Sequence, residues 1–247
     1  MPSYSELVQN VLQEVNDLRR NPQFFLPRLR SFLSQYRGLL RHRPGDAPVL
    51  TQEGSAAVLQ AIEALQRERE VRTCVWNEAL GSAAQAYCNE LSKQGLAARA
   101  LQSRVESCGR WTGLLVEMVD YGALSAAEVV CSLLVDDGAP NREHRKSLLA
   151  PNLRYIGIGC SPHRDHRTVT TVLMVSKYTT SGDFSRCFPS TAMIPTNWQA
   201  QDWPEAAVKL SCEVATETQV GRIQKRVIRT WAMPDGSTEV TETNSFK

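Results

Sequence analysis

The run DDGAPNREHRKSLLAPNLRYIGIGC, from Asp136 to Cys160, constrains this chain more than any other segment. It sets a turn, a basic helix and a strand opening in immediate succession. Asp137, Gly138 and Pro140 each stop a helix by a different mechanism: a local side-chain hydrogen bond, a permissive φ, and a missing N–H. Asn141 then stands where a short helix needs a cap, and Arg145 and Lys146 fall in its last turns before Pro151 and Asn152 end it. The apolar, extended run Tyr155-Ile156-Gly157-Ile158-Gly159 follows, so His144 is held beside the opening of a strand.

Upstream, the periodicity is helical. Residues 4–20 carry Leu7, Val11, Val15 and Leu18 on one stripe behind a Ser3/Glu6 capping box. Asn21 and Pro22 open a second helix predicted over 22–37, and 41–48 reads as a polar loop. Thr51 is predicted to cap a third helix carrying Val58, Ile62 and Leu65, and Asn77 a fourth carrying Leu80, Ala84, Tyr87 and Leu91. Ser125 and Glu128 form another capping box, opening the helix that runs into the Asp136-Asp137-Gly138 turn. Strands are predicted at 155–160 and 168–178, joined by a charged loop from Ser161 to Arg167. Residues 179–203 turn to Ser, Thr, Pro and Gly, as a linker does. Beyond it three short β segments, 208–216, 222–231 and 237–243, are separated by turns at Gly221 and at Pro234-Asp235-Gly236, which predicts a meander. So small a sheet is marginal alone and needs a surface to pack on, with Trp198, Trp203 and Trp231 available for the contact.

A chain of 247 residues, 42% hydrophobic, is long enough for one large domain or one domain with an appendage. A net charge of +2 gives no argument for nucleic acid, and no aromatic-basic stacking motif is present. Arg19, Arg20, Arg28, Arg30, Arg37, Arg41 and Arg43 make the N-terminal part basic, which reads as a solvated helix face. The first residues lack the pattern of a signal peptide, and no apolar run is long enough to span a bilayer, which places the protein inside the cell. The seven cysteines, Cys74, Cys88, Cys108, Cys131, Cys160, Cys187 and Cys212, show no CxxC or metal-type spacing and are expected to be free, buried thiols.

Taken with Val116-Glu117-Met118-Val119-Asp120-Tyr121-Gly122 and the early Glu14-to-Pro22 segment, the Asp136–Cys160 run resembles the CAP superfamily, the cysteine-rich secretory, antigen 5 and pathogenesis-related 1 proteins. It is most similar to the branch whose members carry a DDG-x-P-x-R-x-H-R run. The resemblance covers roughly residues 4–178. It implies an α+β fold, an α-β-α sandwich with a small antiparallel sheet between helical layers, here extended by the C-terminal β segment. The expected division is a CAP-like domain at 1–200 and a β-rich extension at 201–247. The resemblance also implies a shallow cleft lined by two histidines and two acidic residues.

Matched residue by residue, that cleft receives Glu117 from the G-E-N position, His144 from the H-R position, and Asp136 or Asp137 near the second acidic position. The other histidine belongs after the helix ending near Gly95, where this chain reads Gln94-Gly95-Leu96-Ala97-Ala98-Arg99-Ala100-Leu101 and has none. Met118 and Val116 replace the asparagine and glycine flanking the family's glutamate, and Glu143 stands where the branch often has glycine. One matched imidazole with carboxylates is a poor transition-metal set, so neither metal nor cofactor is expected. His163 and His166 read as part of an exposed charged loop.

Three functions follow as expectations. In a non-catalytic binding or scaffolding protein, His144 and Glu117 would hydrogen-bond each other and tie helix to sheet. Protein contacts in a larger assembly, cytoskeletal or ciliary, would then be the activity. Alternatively, the resemblance offers precedents for sterol, fatty-acid or anionic membrane-surface binding. In a hydrolase, His144 held by Glu117 would act as general base toward water, Ser147 or Ser132. No G-x-S-x-G, H-E-x-x-H or cysteine-nucleophile motif supports the last.

Overall fold

The computed structural model describes residues 4–43, 47–92 and 100–180 in full, and the backbone of the strands at 209–219, 222–232 and 238–246. Helix α1 (Tyr4–Arg20) buries Leu7, Val11, Val15 and Leu18, the predicted stripe; the Ser3 half of its capping box lies outside the described residues. The single helix expected over 22–37 is divided. Asn21 accepts the N–H of Phe24 at 3.3 Å to open a 3-10 turn (Pro22–Phe25), and α2 (Leu26–Leu33) follows it. Pro27 has no N–H to continue the first turn, so it can only begin a new helix.

The chain then folds into a three-stranded antiparallel sheet, β1 (Tyr36–Arg37), β2 (Leu40–Arg41) and β3 (Val49–Leu50), where the sequence reads as helix end and polar loop. Gly38, at φ +62°, makes its first turn. Helix α3 (Ser55–Arg67) has Gly54 at its N-cap rather than Thr51, whose hydroxyl instead donates to the Leu39 carbonyl at 2.6 Å. After β4 (Val75–Trp76), α4 (Glu78–Leu91) is capped as expected by Asn77, which accepts the Leu80 N–H at 3.0 Å.

Like β4, two longer elements have no counterpart among the sequence expectations, α5 (Leu101–Glu106) and β5 (Gly109–Tyr121). The β5 register shifts between Thr112 and Leu115, with Gly113 at φ +87°, and this bulge destroys the alternation that marks a strand. Helix α6 (Ala126–Val135) starts at Ser125, whose hydroxyl accepts the Glu128 N–H at 3.3 Å, and ends on Asp136 in the left-handed region. Helix α7 (Glu143–Leu148) leads to β6 (Tyr155–His163) and β7 (Arg167–Thr180). Both strands run further than predicted, so the charged loop shrinks to a turn at 164–166.

The main sheet has the order β4-β6-β7-β5, antiparallel except for β4 with β6. One face, with Met118, Ile156, Ile158, Val172 and Met174, packs on α1, α2, α3 and α6. The other, with Tyr155, Leu173 and Val175, packs on α4 and α5. A Cβ at Gly157 or Gly159 would collide with the α4 backbone, so these glycines let helix and strand approach closely. The result is the expected α+β sandwich, a sheet between helical layers.

The chain divides into two compact units, Met1–Phe188 and Pro189–Lys247. The expected boundary at 200/201, most of the linker, Trp198 and Trp203 lie outside the described residues. In the second unit β8 (Lys209–Gln219), β9 (Arg222–Ala232) and β10 (Thr238–Phe246) form the predicted antiparallel meander, with β9 in the centre. The turns at Gly221 and Pro234-Asp235-Gly236 lie outside the described residues.

Candidate functional site

The turn after α6 brings Asp136 to the head of α7. Arg142, not Asn141, occupies the N-cap position, with φ 49° and ψ 49°, and makes no side-chain cap. The cap comes from outside the helix. Asp136 accepts the His144 backbone N–H on Oδ2 at 2.9 Å, and its Oδ1 lies 2.8 Å from His144 Nδ1. One carboxylate thus satisfies an orphan helix donor and fixes the imidazole, leaving Nε2 outward on a side chain 35% exposed. Glu143 sits exposed in the first turn beside it.

Asp137 does different work. Its two oxygens accept the N–H groups of Gln52 and Glu53 at 2.7 and 2.8 Å. Glu53 answers by accepting the Gly138 N–H at 2.8 Å and a two-pronged bond from Arg142 at 2.5 and 2.6 Å. Arg142 also reaches Gln60 and the Asp136 and Ala139 carbonyls. Its hydrogen bonds, then the Gly138 N–H, hold the Glu53 carboxyl down at about 2. The Asp-Asp-Gly turn is therefore locked to the loop before α3.

Two further arginines hold the same segment. Arg145 donates to the Leu134 and Val135 carbonyls at 2.5 and 3.2 Å, closing the end of α6. Arg19 is fully buried and donates to the carbonyls of Arg72, Leu148, Ala150 and Leu153 at 2.6–3.0 Å. Burial lowers the pKa of both. The N-terminal arginines are thus not a uniformly solvated face. Arg41 is buried as well, lying over the Phe32 ring at 4.0 Å and 2.6 Å from Glu128.

Glu117 lies elsewhere. Its β-sheet partner is Leu173, so it shares the α4–α5 face of the sheet, whereas α6 and α7 belong with the opposite core. Arg104 of α5, itself buried, meets the Glu117 carboxylate at 2.8 Å and stacks over the Tyr87 ring at 3.7 Å. The other carboxylate oxygen, Glu117 Oε1, is buried without a hydrogen bond. Among the described residues no bond joins Glu117 to His144. Each is tied to a different partner: the register of β5 turns Glu117 to the α4–α5 face, while His144 lies on α7, which packs with the opposite core. The carboxylate that orients His144 is Asp136.

Nothing in the sequence singles out Arg104, thirteen residues from Glu117 on a helix without a sequence signal. Asp120 likewise belongs to no motif that marks it. It is buried, which raises its pKa against the pull of the Ser132 hydroxyl, the Ala123 N–H, Arg43 and Arg41. Ser132 is thereby occupied, and Ser147 makes no side-chain hydrogen bond among the described residues.

At the sheet's edge, Tyr121 packs its ring against His163 and His166 at 5.4 and 5.2 Å. His163 Nδ1 accepts the N–H groups of Asp165 and His166, both at 3.2 Å. That leaves the proton of the neutral ring on Nε2, and metal ligation there would first have to displace it. Among the described residues no group of three or more His, Cys, Asp and Glu side chains is placed to hold a metal ion. The segment without the second histidine, 93–99, lies outside the described residues.

Residues 12–178 match the model of the cysteine-rich secretory protein family, CAP. No curated protein matches the chain.

Proposed function

Since this chain belongs to the CAP family of cysteine-rich secretory proteins, we propose that it is a non-catalytic member working inside the cell, as a binding or scaffolding protein in a larger assembly. The observation that carries this reading is the Arg104–Glu117 pair. The acidic group matched to the family's cleft is neutralised by an internal cation that is itself buried and stacked on Tyr87. A carboxylate spent in this way is not available to steer a base or hold a ligand. The five described cysteines, all buried thiols, suit a reducing compartment. The tail supplies a contact surface of the right kind, since β8 and β10 are the outer strands of its sheet and each has one strand partner among the described residues. A cytoskeletal or ciliary setting would use such a module for its surface.

A second reading rests on the Asp136–His144 pair, in which a carboxylate orients an imidazole as a general base requires. Among the described residues the pair has no activated serine beside it, because Ser132 faces Asp120 and no hydrogen bond joins Ser147 to His144.

The test is recovery of the tagged protein from its native cells at two salt concentrations, alongside His144→Ala and a variant deleted from Val208. Loss of a stoichiometric protein partner on tail deletion alone supports the scaffold. Loss of a small molecule or lipid with His144→Ala overturns it in favour of a working cleft.

A further inference from the structure

Phe24 and Phe25, adjacent in the 3-10 turn, are in opposite environments. Phe25 is buried at 1% exposure, whereas Phe24 is 74% exposed. The exposed ring does not sit on a loose loop. Asn21 accepts the Phe24 N–H on its backbone and side-chain oxygens, at 3.1 and 3.3 Å, and Pro22 fixes the start of the turn. Gln23 donates to the carbonyls of Leu65 and Glu68 at 3.5 and 2.7 Å, which ties the turn to the end of α3. An aromatic side chain on a backbone this constrained has little freedom left to lose when a partner covers it.

Beside Phe24 lies a hollow of about 370 Å³, lined by Asp17, Arg20, Asn21, Phe24, Phe25 and Arg28. Its volume exceeds that of a phenyl ring. Phe25, with the Arg28 guanidinium 5.2 Å over its ring, gives the hollow an apolar wall. One patch therefore carries both an aromatic knob and a socket able to receive one.

The charges on this patch select the occupant. They are balanced, since Asp17 meets Arg20 at 2.8 Å and Glu14 meets Arg28 at 2.8 Å. An acidic partner would be opposed by the two carboxylates, and a basic one by the two guanidinium groups. A second copy of this chain, related by a two-fold axis, sets arginines against carboxylates in both directions and brings a ring for each socket. The side chains of Asp17 and Arg20 are 39% and 65% exposed, so their own pair is worth little and its members can turn to the other copy at small cost. We infer that this face is an isologous dimer contact, in which Phe24 of each protomer enters the hollow beside Phe24 of the other. Aromatic rings seated in desolvated pockets are the anchors that carry such contacts. The inference goes beyond the scaffold reading and does not depend on it.

The test is sedimentation velocity of the full chain over a range of concentration, where reversible monomer–dimer exchange is expected. Phe24→Ala should weaken the dimer at least about tenfold. Leu114→Ser, at an exposed leucine on β5, should leave it unchanged. Arg20→Glu makes the face net acidic and Asp17→Arg makes it net basic, so each alone should weaken the dimer about tenfold or more. Mixed in equal amounts, these two variants should associate again, as a heterodimer that about 0.5 M salt loosens. Recovery in the mixture also shows that both are folded, and a thermal melt shows it for Phe24→Ala. A chain that stays monomeric at its highest soluble concentration overturns the inference. So does a dimer that ignores Phe24→Ala, and so do charge variants that fail to rescue each other when mixed.

Discussion

Asp136 holds His144 twice, by its backbone N–H at 2.9 Å and by its ring Nδ1 at 2.8 Å. The first bond belongs to folding, since it caps α7. The second orients the ring, and because both come from one carboxylate the imidazole is positioned whether or not it has chemistry to do.

Asp136→Ala should therefore destabilise the protein by about 1–3 kcal/mol, from a lost cap and a lost charged acceptor. His144→Ala removes only the ring's bond at a partly exposed site and should cost less than about 1 kcal/mol. Urea unfolding of both variants checks the order. Equal losses would mean that the ring, not the cap, carries the energy.

Arg19 serves four carbonyls from full burial. Arg19→Met leaves those acceptors without a donor and should cost about 3 kcal/mol or more. Arg19→Lys should fall between, because an ammonium presents its donors at one point and cannot span the same four oxygens. Denaturation midpoints of the three proteins decide it.

The Arg104–Glu117 pair should behave as a unit. Arg104→Met leaves a carboxylate in a largely buried site and should destabilise by about 3–5 kcal/mol. Glu117→Gln should cost less, and combining it with Arg104→Met should recover part of the loss. Simple additivity in a double-mutant cycle would mean that the two side chains act independently, and Glu117 would no longer count as neutralised by Arg104.

These residues also mark how far the sequence could be read. The α1 stripe, the Asn77 and Ser125 caps, the β6–β7 pair and the tail meander were legible because each is a local pattern with a local cause. The family was legible for the same reason, through contiguous motifs around Glu117 and His144. What escaped depends on contacts distant in sequence or on broken periodicity. Asp136 replaces Asn141 as the effective cap of α7 from beyond the helix. The β5 bulge hides a strand, and Arg104 is placed opposite Glu117 only once that strand pairs with β7. The expected bond between Glu117 and His144 is not formed because the register of β5 turns Glu117 to the α4–α5 face, while His144 sits on a helix of the opposite core.

Thiol labelling tests the core and the redox setting together. Burial pushes the Cys88 and Cys131 thiols up to about 12 and Cys160 to about 11, and it raises Cys74. Cys108 is buried as well. At pH 8 a soluble thiol reagent should find none of these five in the native protein, and all five after denaturation without reductant. A shortfall after denaturation would mean disulfides, and the intracellular reading would fall with it.

The lock between Glu53 and Arg142 sets an acid limit on the turn that carries His144. Arg142 and the Gly138 N–H hold the Glu53 carboxyl at about 2 in the folded protein, below its ordinary value near 4.5. The unfolded chain therefore takes up the proton first as the pH falls. The stability from this pair is complete above about pH 5, declines below it, and is gone near pH 2. Because Glu53 is partly exposed, solvent and salt weaken the effect. Glu53→Gln should accordingly be less stable than the unaltered protein at pH 7 and close to it at the acid end. It should show a flatter dependence on pH between the two, measured by urea unfolding across the range. Parallel curves for the two proteins would place the acid sensitivity in other carboxylates.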